Sequence, residues 1–425
     1  MAAAAHTSCY DVAIIGGGAS GLAAACTAAR VGARVVVLER DVALGLPILA
    51  TGNGRCNLSN RHLDPARYRH PDCARAVMGD RAEEELEAFF SSVGIVTCSM
   101  EDRLYPMSKR AESVRDALLN ACTRAGVNER CGITLLDACY QPDQACWALT
   151  LETPTRPLRA KGKTDGHAQL RAWRRDLAAA PRVVEQLGAR HIIIACGGTS
   201  GEVAELFQLP HLAETPQLCP IACALPHHPR ALKELDGMRS DAKLTLKRAG
   251  QTVWTETGEV LFRTYGISGV AAFNLSRRLR PGDELIIDPF YQFSDDAFTR
   301  LEAERSRALG GSWKLLGAAW FDGLLVRPLA EALLHEHSDE STCPRTLRLA
   351  VQGTTEERVA QVRRGGIPFE AIDLSSLTVR PAIAPALSVC GESLDMDADC
   401  GGYNLAWAWL SGMRAASSAV KDLGL

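Results

Sequence analysis

No apolar run in the sequence approaches the roughly 18 residues that a helix needs to span a bilayer. The first residues, Met1–Ala5, are small and apolar, but they carry no basic start and the run breaks at His6-Thr7-Ser8. A secretory signal needs a basic segment ahead of a longer apolar one. The sequence therefore predicts a protein that neither spans a membrane nor is exported, and we expect a cytoplasmic location.

The sequence also lacks an excess of either charge and lacks paired cysteine motifs. Its 47 lysines and arginines stand against 50 aspartates and glutamates, a net charge of −3, so no basic surface for nucleic acid is expected. Its 15 cysteines contain no C-x-x-C pair, and its histidines have no third ligand at metal-binding spacing. We expect free thiols in a reducing compartment, no metal site and no nucleic-acid partner.

A dinucleotide-binding pattern begins near the N-terminus. The apolar run Asp11-Val-Ala-Ile-Ile15 is typical of a buried parallel strand, and Gly16-Gly-Gly-Ala-Ser-Gly21 follows it as G-x-G-x-x-G. An alanine-rich helical stretch then ends at Gly32, and a second apolar strand, Arg34-Val-Val-Val-Leu38, ends in Glu39. This order of strand, turn, helix and strand predicts a Rossmann-type unit.

Each part of this pattern has a physical role. Gly16 permits the tight turn, Gly18 lets the backbone approach a pyrophosphate, and Gly21 allows the helix to pack closely on the strand. The helix N-terminus offers free N–H groups and partial positive charge to the phosphates. Glu39 can accept hydrogen bonds from the adenosine ribose, and because an acid there disfavours a 2′-phosphate, FAD or NAD is expected rather than NADP. The predicted dinucleotide contacts of this unit are Gly16, Gly18, Ala19, Ser20, Gly21, Glu39 and Arg40.

Three further segments bring small residues close together. Residues 51–60 read Thr-Gly-Asn-Gly-Arg-Cys-Asn-Leu-Ser-Asn, a loop that lets the backbone approach something flat or charged. Residues 191–198 read His-Ile-Ile-Ile-Ala-Cys-Gly-Gly, a buried strand that ends in paired glycines. Residues 391–409 begin with Gly-Glu-Ser-Leu-Asp-Met-Asp and continue through Cys400-Gly-Gly-Tyr-Asn into a helix that contains Trp407 and Trp409.

With these motifs the sequence resembles the BaiN-like and aminoacetone-oxidase-type family of FAD flavoproteins. The resemblance extends to Arg103-Leu-Tyr-Pro-Met-Ser108 and to residues 262–269, and so covers most of the chain. The chain departs from the family at Leu46, where a basic residue is usual, and in the short segment after Gly198. The resemblance implies that the loop at 51–57 runs along the flavin, that Gly391 and Glu392 bind the ribityl chain and pyrophosphate, and that the helix after Gly401-Gly402 faces the flavin O2 region. The contacts that follow are Thr51, Gly52, Asn53, Gly54, Asn57, Gly197, Gly198, Gly391, Glu392, Gly402, Tyr403 and Asn404.

The length of 425 residues predicts two or three domains. The resemblance implies an α/β fold of the two-dinucleotide-binding-fold (glutathione-reductase-like Rossmann) type. We predict a discontinuous FAD domain over 1–199 and 364–425, an inserted β-barrel-like substrate or cap domain over 200–290, and a helical part of the insert over 291–363. Residues 154–190, which are rich in lysine and arginine, are predicted to form an enlarged solvent loop.

Arg55 and Tyr265 are the candidate catalytic residues. Arg55 suits a functional role, either stabilising anionic reduced flavin or holding a substrate carboxylate, and it suits equally a structural role in tying down its own loop. Tyr265 is a candidate proton donor at the domain junction, although a structural tyrosine at a tight turn is the commoner case. Cys56 has no partner cysteine nearby in the sequence, which favours a small packed side chain over a redox thiol.

The leading hypothesis is an FAD-dependent oxidoreductase that transfers a hydride through flavin N5. The sequence has no second G-x-G-x-x-G unit, so NADH or NADPH is expected to dock only transiently as a co-substrate. The resemblance implies NAD(P)H-linked reduction of an unsaturated or keto small molecule, which is favoured, or oxidation of a small amine by O2. A flavin-bound redox sensor without turnover and an NAD-binding protein are the alternatives of other classes. The substrate and the oligomeric state stay open.

Overall fold

The computed structural model describes residues 9–157, 166–227, 231–337, 342–355, 360 and 362–425. The strands are β1 (Cys9–Ile15), β2 (Val35–Glu39), β3 (Ser59–Asn60), β4 (Thr97–Met100), β5 (Arg103–Pro106), β6 (Asn128–Cys131), β7 (Thr134–Gln141), β8 (Cys146–Pro154), β9 (Arg182–Ile194), β10 (Leu212–Gln217), β11 (Ile221–Ala224), β12 (Arg239–Arg248), β13 (Gln251–Arg263), β14 (Gly266–Ser268), β15 (Glu284–Asp288), β16 (Leu347–Thr354), β17 (Val362–Gly366), β18 (Ile372–Asp373), β19 (Thr378–Val379) and β20 (Leu387–Val389). The helices are α1 (Ala19–Arg30), α2 (Leu46–Leu49), α3 (Pro71–Met78), α4 (Ala82–Ser92), α5 (Ala111–Arg124), α6 (Gly166–Ala178), α7 (Gly201–Leu206), α8 (Ala231–Glu234), α9 (Val270–Ser276), α10 (Asp295–Leu309), α11 (Trp313–Leu316), α12 (Arg327–Glu336) and α13 (Tyr403–Asp422). Within these ranges no helix combines the length and the apolarity that crossing a bilayer would require.

The chain divides into two units, Met1–Thr215 with Val362–Leu425 and Pro216–Gln361. The first unit is a Rossmann-type α/β fold around the parallel strands β20, β9, β1, β2 and β6, in that order. Antiparallel strands join this sheet on the side of β9 that faces away from β1. Strands β8 and β7 pair beside the first part of β9, and β19 and β18 follow β20. The apolar runs of β1, β2 and β9 are buried, as expected for strands whose two faces are both covered.

Helices α1 and α13 pack against each other beside this sheet. The small residues of α1 make the close approach possible, since Ala23, Ala24 and Ala25 are all fully buried. On α13 the contact is made at Gly412, where a Cβ atom would lie 2.3 Å from the Ser20 carbonyl oxygen. The alanine-rich pattern that predicts α1 therefore also allows it to pack closely against a helix almost 400 residues later in the sequence.

The second unit contains a closed barrel of six strands in the order β11, β14, β13, β12, β15, β16. Strand β12 shows the alternation that a barrel wall needs, because Ala242, Leu244 and Leu246 are fully buried between more exposed neighbours. Its core continues into the helical segments, where Trp320 and Phe321 are also fully buried.

The boundaries of these units differ from the predicted ones. Residues 200–215 belong to the first unit, since α7 packs on β7 and β10 pairs with β17. The barrel is not confined to 200–290, because its last strand, β16, lies within the segment predicted as helical and pairs with both β11 and β15. Such long-range pairing leaves no local sign in the sequence.

The predicted solvent loop over 154–190 is wrong in its described part. Helix α6 occupies Gly166–Ala178 and β9 begins at Arg182, while residues 158–165 lie outside the described ranges. Two of the arginines there also form ion pairs, Arg174 with Asp41 (2.5 Å) and Arg156 with Asp176 (2.6 Å).

Candidate active site at the sheet edge

The glycine turn between β1 and α1 depends on contacts that only glycine allows. A Cβ atom on Gly16 would lie 2.4 Å from the Ala195 carbonyl oxygen, and one on Gly21 would lie 1.9 Å from the Gly16 carbonyl oxygen. At Gly18 no atom of the described residues lies within 4 Å of the position that a Cβ atom would take. The turn is therefore packed on two sides and open at Gly18, where a pyrophosphate could approach the N-terminus of α1.

Glu39 ends β2 with both carboxylate oxygens against the backbone. Its Oε2 accepts a hydrogen bond from the Gly17 N–H and its Oε1 accepts one from the Asp41 N–H, each at 2.8 Å. A carboxylate has further lone pairs, so Glu39 fits the predicted contact with a ribose, which stays a prediction. Arg40 is exposed and its guanidinium lies 3.3 Å from Thr199 Oγ1.

The loop after α2 turns sharply through two successive left-handed residues, Gly52 (φ +55°) and Asn53 (φ +53°). The Cys56 N–H closes the turn by donating to the Thr51 carbonyl oxygen at 3.0 Å, and its side chain is fully buried. Burial raises the pKa of the Cys56 thiol to about 11, so it is a packed thiol and not a thiolate at neutral pH. Arg55 is exposed, and its guanidinium has no hydrogen bond or ion pair with the part of the chain that is described.

Two asparagines join this loop to the start of α13. The Asn57 amide, with its nitrogen towards carbonyl groups, donates to the Ser59 carbonyl oxygen (2.8 Å) and accepts from the Gly402 N–H (3.1 Å). Asn60 Nδ2 donates to the Gly401 carbonyl oxygen at 3.0 Å. Gly402 has φ of +101°, and a Cβ atom there would lie 2.3 Å from the Ser59 carbonyl. The loop at 51–60 and the glycines at 401–402 are therefore one structural unit.

The first residues of α13 use their side chains within the protein. Asn404 Oδ1 accepts from the Ala398 N–H and its Nδ2 donates to the Ala398 carbonyl oxygen, both at 2.9 Å. Tyr403 is buried. The predicted cofactor contacts of Tyr403 and Asn404 would therefore come from backbone N–H groups, which lack intrahelical partners in the first turn.

Gly391 lies directly against the first turn of α1. A Cβ atom on Gly391 would lie 2.5 Å from Ser20 Oγ. Its N–H donates to Ser411 Oγ (2.9 Å), and its carbonyl oxygen accepts from Trp407 Nε1 (2.9 Å). Neither side chain was predicted to position Gly391, although their i, i+4 spacing places them on one helix face.

Glu392 and the glycine pair after β9 meet at the same place. The Glu392 carboxyl accepts a hydrogen bond from the Arg363 N–H, and a Cβ atom on Gly198 would lie 3.1 Å from Glu392 Cδ. Gly197 adopts φ of +65°. Burial raises the pKa of Glu392 to about 7, although the Arg363 and Gly198 N–H groups lower it. A carboxyl that titrates near neutrality can both accept from and donate to a hydroxyl group.

Three buried aspartates lie between Gly391-Glu392 and Gly401-Gly402 in the sequence, and sequence reasoning missed them as well. Each carboxylate forms an ion pair with a different arginine, and these contacts fix the chain between Glu392 and Gly401. The ion pairs are Asp395 with Arg69 (3.3 Å), Asp397 with Arg364 (3.2 Å) and Asp399 with Arg67 (3.4 Å).

Most of the predicted dinucleotide contacts meet at the carboxyl ends of β1, β2, β9 and β20, the edge of an α/β sheet where ligands bind. Tyr265 belongs to the second unit, between β13 and β14, where its carbonyl oxygen accepts from the Cys223 N–H and its side chain is 38% exposed. Its predicted catalytic role stays a prediction, like that of Arg55. The residues at the sheet edge are Gly16, Gly18, Ala19, Ser20, Gly21, Glu39, Gly197, Gly198, Gly391 and Glu392.

Comparison with known proteins places this site in a family. The HI0933-like protein Rossmann domain matches residues 10–156. The 3-dehydro-bile acid delta(4,6)-reductase of Clostridium scindens is 30% identical over 446 aligned residues, which cover 96% of this chain and 99% of that protein. The chain belongs to this family of FAD flavoproteins.

Other similarities are weaker. The ribosomal RNA dihydrouridine synthase of Escherichia coli is 24% identical over 97% of this chain and 98% of that protein. Among solved structures, the 3-ketosteroid-delta4-(5alpha)-dehydrogenase from Rhodococcus jostii is 14% identical with a TM-score of 0.44, covering 96% of both chains.

The residues present fit FAD. Gly18 leaves open space beside the N-terminus of α1, as the pyrophosphate requires, and Glu39 offers acceptors at the end of β2. Gly391 and Glu392 abut the same turn. Membership of this family makes the chain an FAD-dependent oxidoreductase.

Proposed function

We propose that the protein uses NADH or NADPH to reduce a carbon–carbon double bond conjugated to a carbonyl group in a small organic substrate. The observation that carries this proposal is the 30% identity, along nearly the whole chain, to an enzyme named as a reductase. That name describes a 3-keto compound whose double bonds lie at positions 4 and 6, so the bond next to the ketone is conjugated with it. Dihydrouridine, in the name of the second relative, is uridine with such a bond reduced.

FAD, when bound, accepts a hydride at N5 and delivers it to an acceptor. The chain itself binds and orients the cofactor. The N–H groups at Gly18 and in the first turn of α1 would bind the pyrophosphate, Glu39 the adenosine ribose, and Glu392 a ribityl hydroxyl. The loop that contains Arg55 and Asn57 is fixed to Gly402 and would form the surface along which the flavin lies.

The test begins with the visible spectrum of the purified protein under anaerobic conditions. We expect a yellow protein that NADH or NADPH bleaches, and whose colour returns on addition of a conjugated enone such as a 4-en-3-one steroid but not of its saturated ketone. Bleaching by a small amine but by neither nucleotide, with rapid reoxidation by O2 and release of peroxide, would instead support the amine oxidase.

An RNA substrate is the second candidate, and the similarity to the E. coli synthase favours it. The net charge of −3 speaks against it, because RNA-binding surfaces are usually basic. Incubation of the reduced protein with an rRNA transcript and mass analysis of its nucleosides would decide, since dihydrouridine is 2 Da heavier than uridine.

A further inference from the structure

The strand β5, Arg103–Pro106, holds the loop at 51–60 in place. The Leu104 carbonyl oxygen accepts from the Leu58 N–H (2.7 Å) and from the Asn57 amide (3.2 Å). Strands β3, β5 and β4 form a small antiparallel sheet around this contact. The motif that begins at Arg103 is thus a part of the same unit as Asn57 and Gly402.

Within this sheet, Arg103 lies directly opposite Asn60. Residues directly opposite each other in an antiparallel pair project from the same face, with Cβ atoms about 5 Å apart. The Asn60 side chain reaches the Gly401 carbonyl oxygen on that face. Arg103 therefore leaves the sheet on the side where Gly401 and the start of α13 lie.

Arg103 is half-buried, and its guanidinium makes no hydrogen bond or ion pair with any residue in the described ranges. Two charged side chains next to Arg103 or Asn60 in the sequence make their contacts elsewhere. Asp102 faces His62 at 3.8 Å, and Arg61 donates to Ser99 Oγ at 2.5 Å. A cation held partly out of water without a counter-charge costs free energy unless an anion completes the site.

We propose that the Arg103 guanidinium supplies the fixed positive charge for the pyrimidine end of the reduced flavin. The inference rests on the proposed function, since it requires bound FAD, and on the expectation that the start of α13 faces the flavin O2 region. Uptake of two electrons and one proton leaves a flavin with one negative charge shared between N1 and the C2 carbonyl oxygen. A cation aimed at that charge stabilises the reduced form more than the oxidised one, and so raises the midpoint potential.

The test compares holoenzymes with changes at one position. Arg103→Met removes the charge and keeps the length, Arg103→Lys keeps the charge, and Arg110→Met is the matched control at an exposed arginine of the same segment. We expect Arg103→Met to shift the two-electron reduction equilibrium about tenfold towards oxidised flavin, or about 30 mV. We also expect its affinity for sulfite, a probe anion that adds to the flavin, to fall about tenfold, while both other variants stay within twofold of the unchanged protein.

Potential and sulfite affinity both unchanged in a yellow Arg103→Met protein would overturn the inference. If that variant loses FAD, Arg103→Gln is measured against the same thresholds. If both neutral variants lose FAD and Arg103→Lys retains it, the result supports the requirement for a positive charge. If Arg103→Lys also loses FAD, the inference is overturned, since the role of Arg103 is then structural. An unchanged protein that holds no FAD fails the proposed function itself, a distinct result.

Discussion

The change Gly18→Ala separates cofactor binding from folding. Gly18 precedes α1 with φ −79° and ψ −161°, an extended conformation open to alanine, and no described atom would touch the added methyl group. Alanine is a poorer residue than glycine before a helix, but it also restricts the unfolded chain. These opposed effects leave the free energy of unfolding within about 0.5 kcal/mol of the original.

FAD binding should respond very differently. The methyl group would occupy the space that we assign to the pyrophosphate, and would separate the phosphate oxygens from the N–H groups of the turn. Losing two hydrogen bonds to a charged group, at about 1.5 kcal/mol each, weakens binding by about 3 kcal/mol. The dissociation constant for FAD should therefore rise by more than about a hundredfold.

Two measurements on the apoprotein check this. Thermal unfolding followed by circular dichroism reports stability, and titration with FAD followed by flavin fluorescence reports affinity. Gly188→Ala is the matched control, because its Cβ atom would make only ordinary contacts of 3.6 Å with Cys9. Gly21→Ala is the opposite case, since its Cβ atom would lie 1.9 Å from a backbone oxygen, and it should lose stability and FAD together.

Affinity of Gly18→Ala within threefold of the unchanged protein would refute the assignment of the phosphate turn. Loss of stability without added FAD would refute the description of the open space at Gly18.

Three further outcomes follow from buried polar groups. Burial lowers the pKa of His191 to about 4, so the stability that is present above pH 6.5 is lost as pH falls towards 4, by about 3 kcal/mol in total. Urea unfolding at pH 7 and at pH 4.5 should show this loss, and His191→Gln should make the free energy of unfolding less dependent on pH. Trp409→Phe removes the indole N–H that donates to the Leu58 carbonyl oxygen at 3.0 Å. The free energy of unfolding, measured with a chemical denaturant, should fall by about 1–3 kcal/mol, and FAD should be released faster. Equal stability would show that water replaces the indole as the donor. Because burial raises the pKa of Glu392 to about 7, the apoprotein loses stability as pH rises from 4.5 through 7. The Glu392→Gln variant should therefore be more stable than the original protein at pH 8 but not at pH 5. The reverse order would contradict the burial of this carboxyl group.

Local pattern predicted the parts of the fold that depend on neighbouring residues. The apolar run before Gly16, the glycine spacing and the alanine-rich stretch to Gly32 predicted β1, the turn and α1, because a buried parallel strand and a tight turn restrict residue type directly. The same holds for Gly197-Gly198 at the end of β9 and for the helix that follows Gly401-Gly402. The family was also recognisable from these motifs, and the comparisons confirm it.

Only the tertiary structure decided how these segments meet. No local sequence pattern shows that Gly391 packs on Ser20, that the Asn57 side chain accepts from the Gly402 N–H, or that the Leu58 carbonyl oxygen accepts from the Trp409 indole. Each of these contacts joins residues more than 300 positions apart. The unit boundary and the last barrel strand were missed for the same reason, since β10 and β16 are defined by distant pairing partners. The sequence determined which residues can approach a dinucleotide, and the packing of α13 on α1 decided that they form one site.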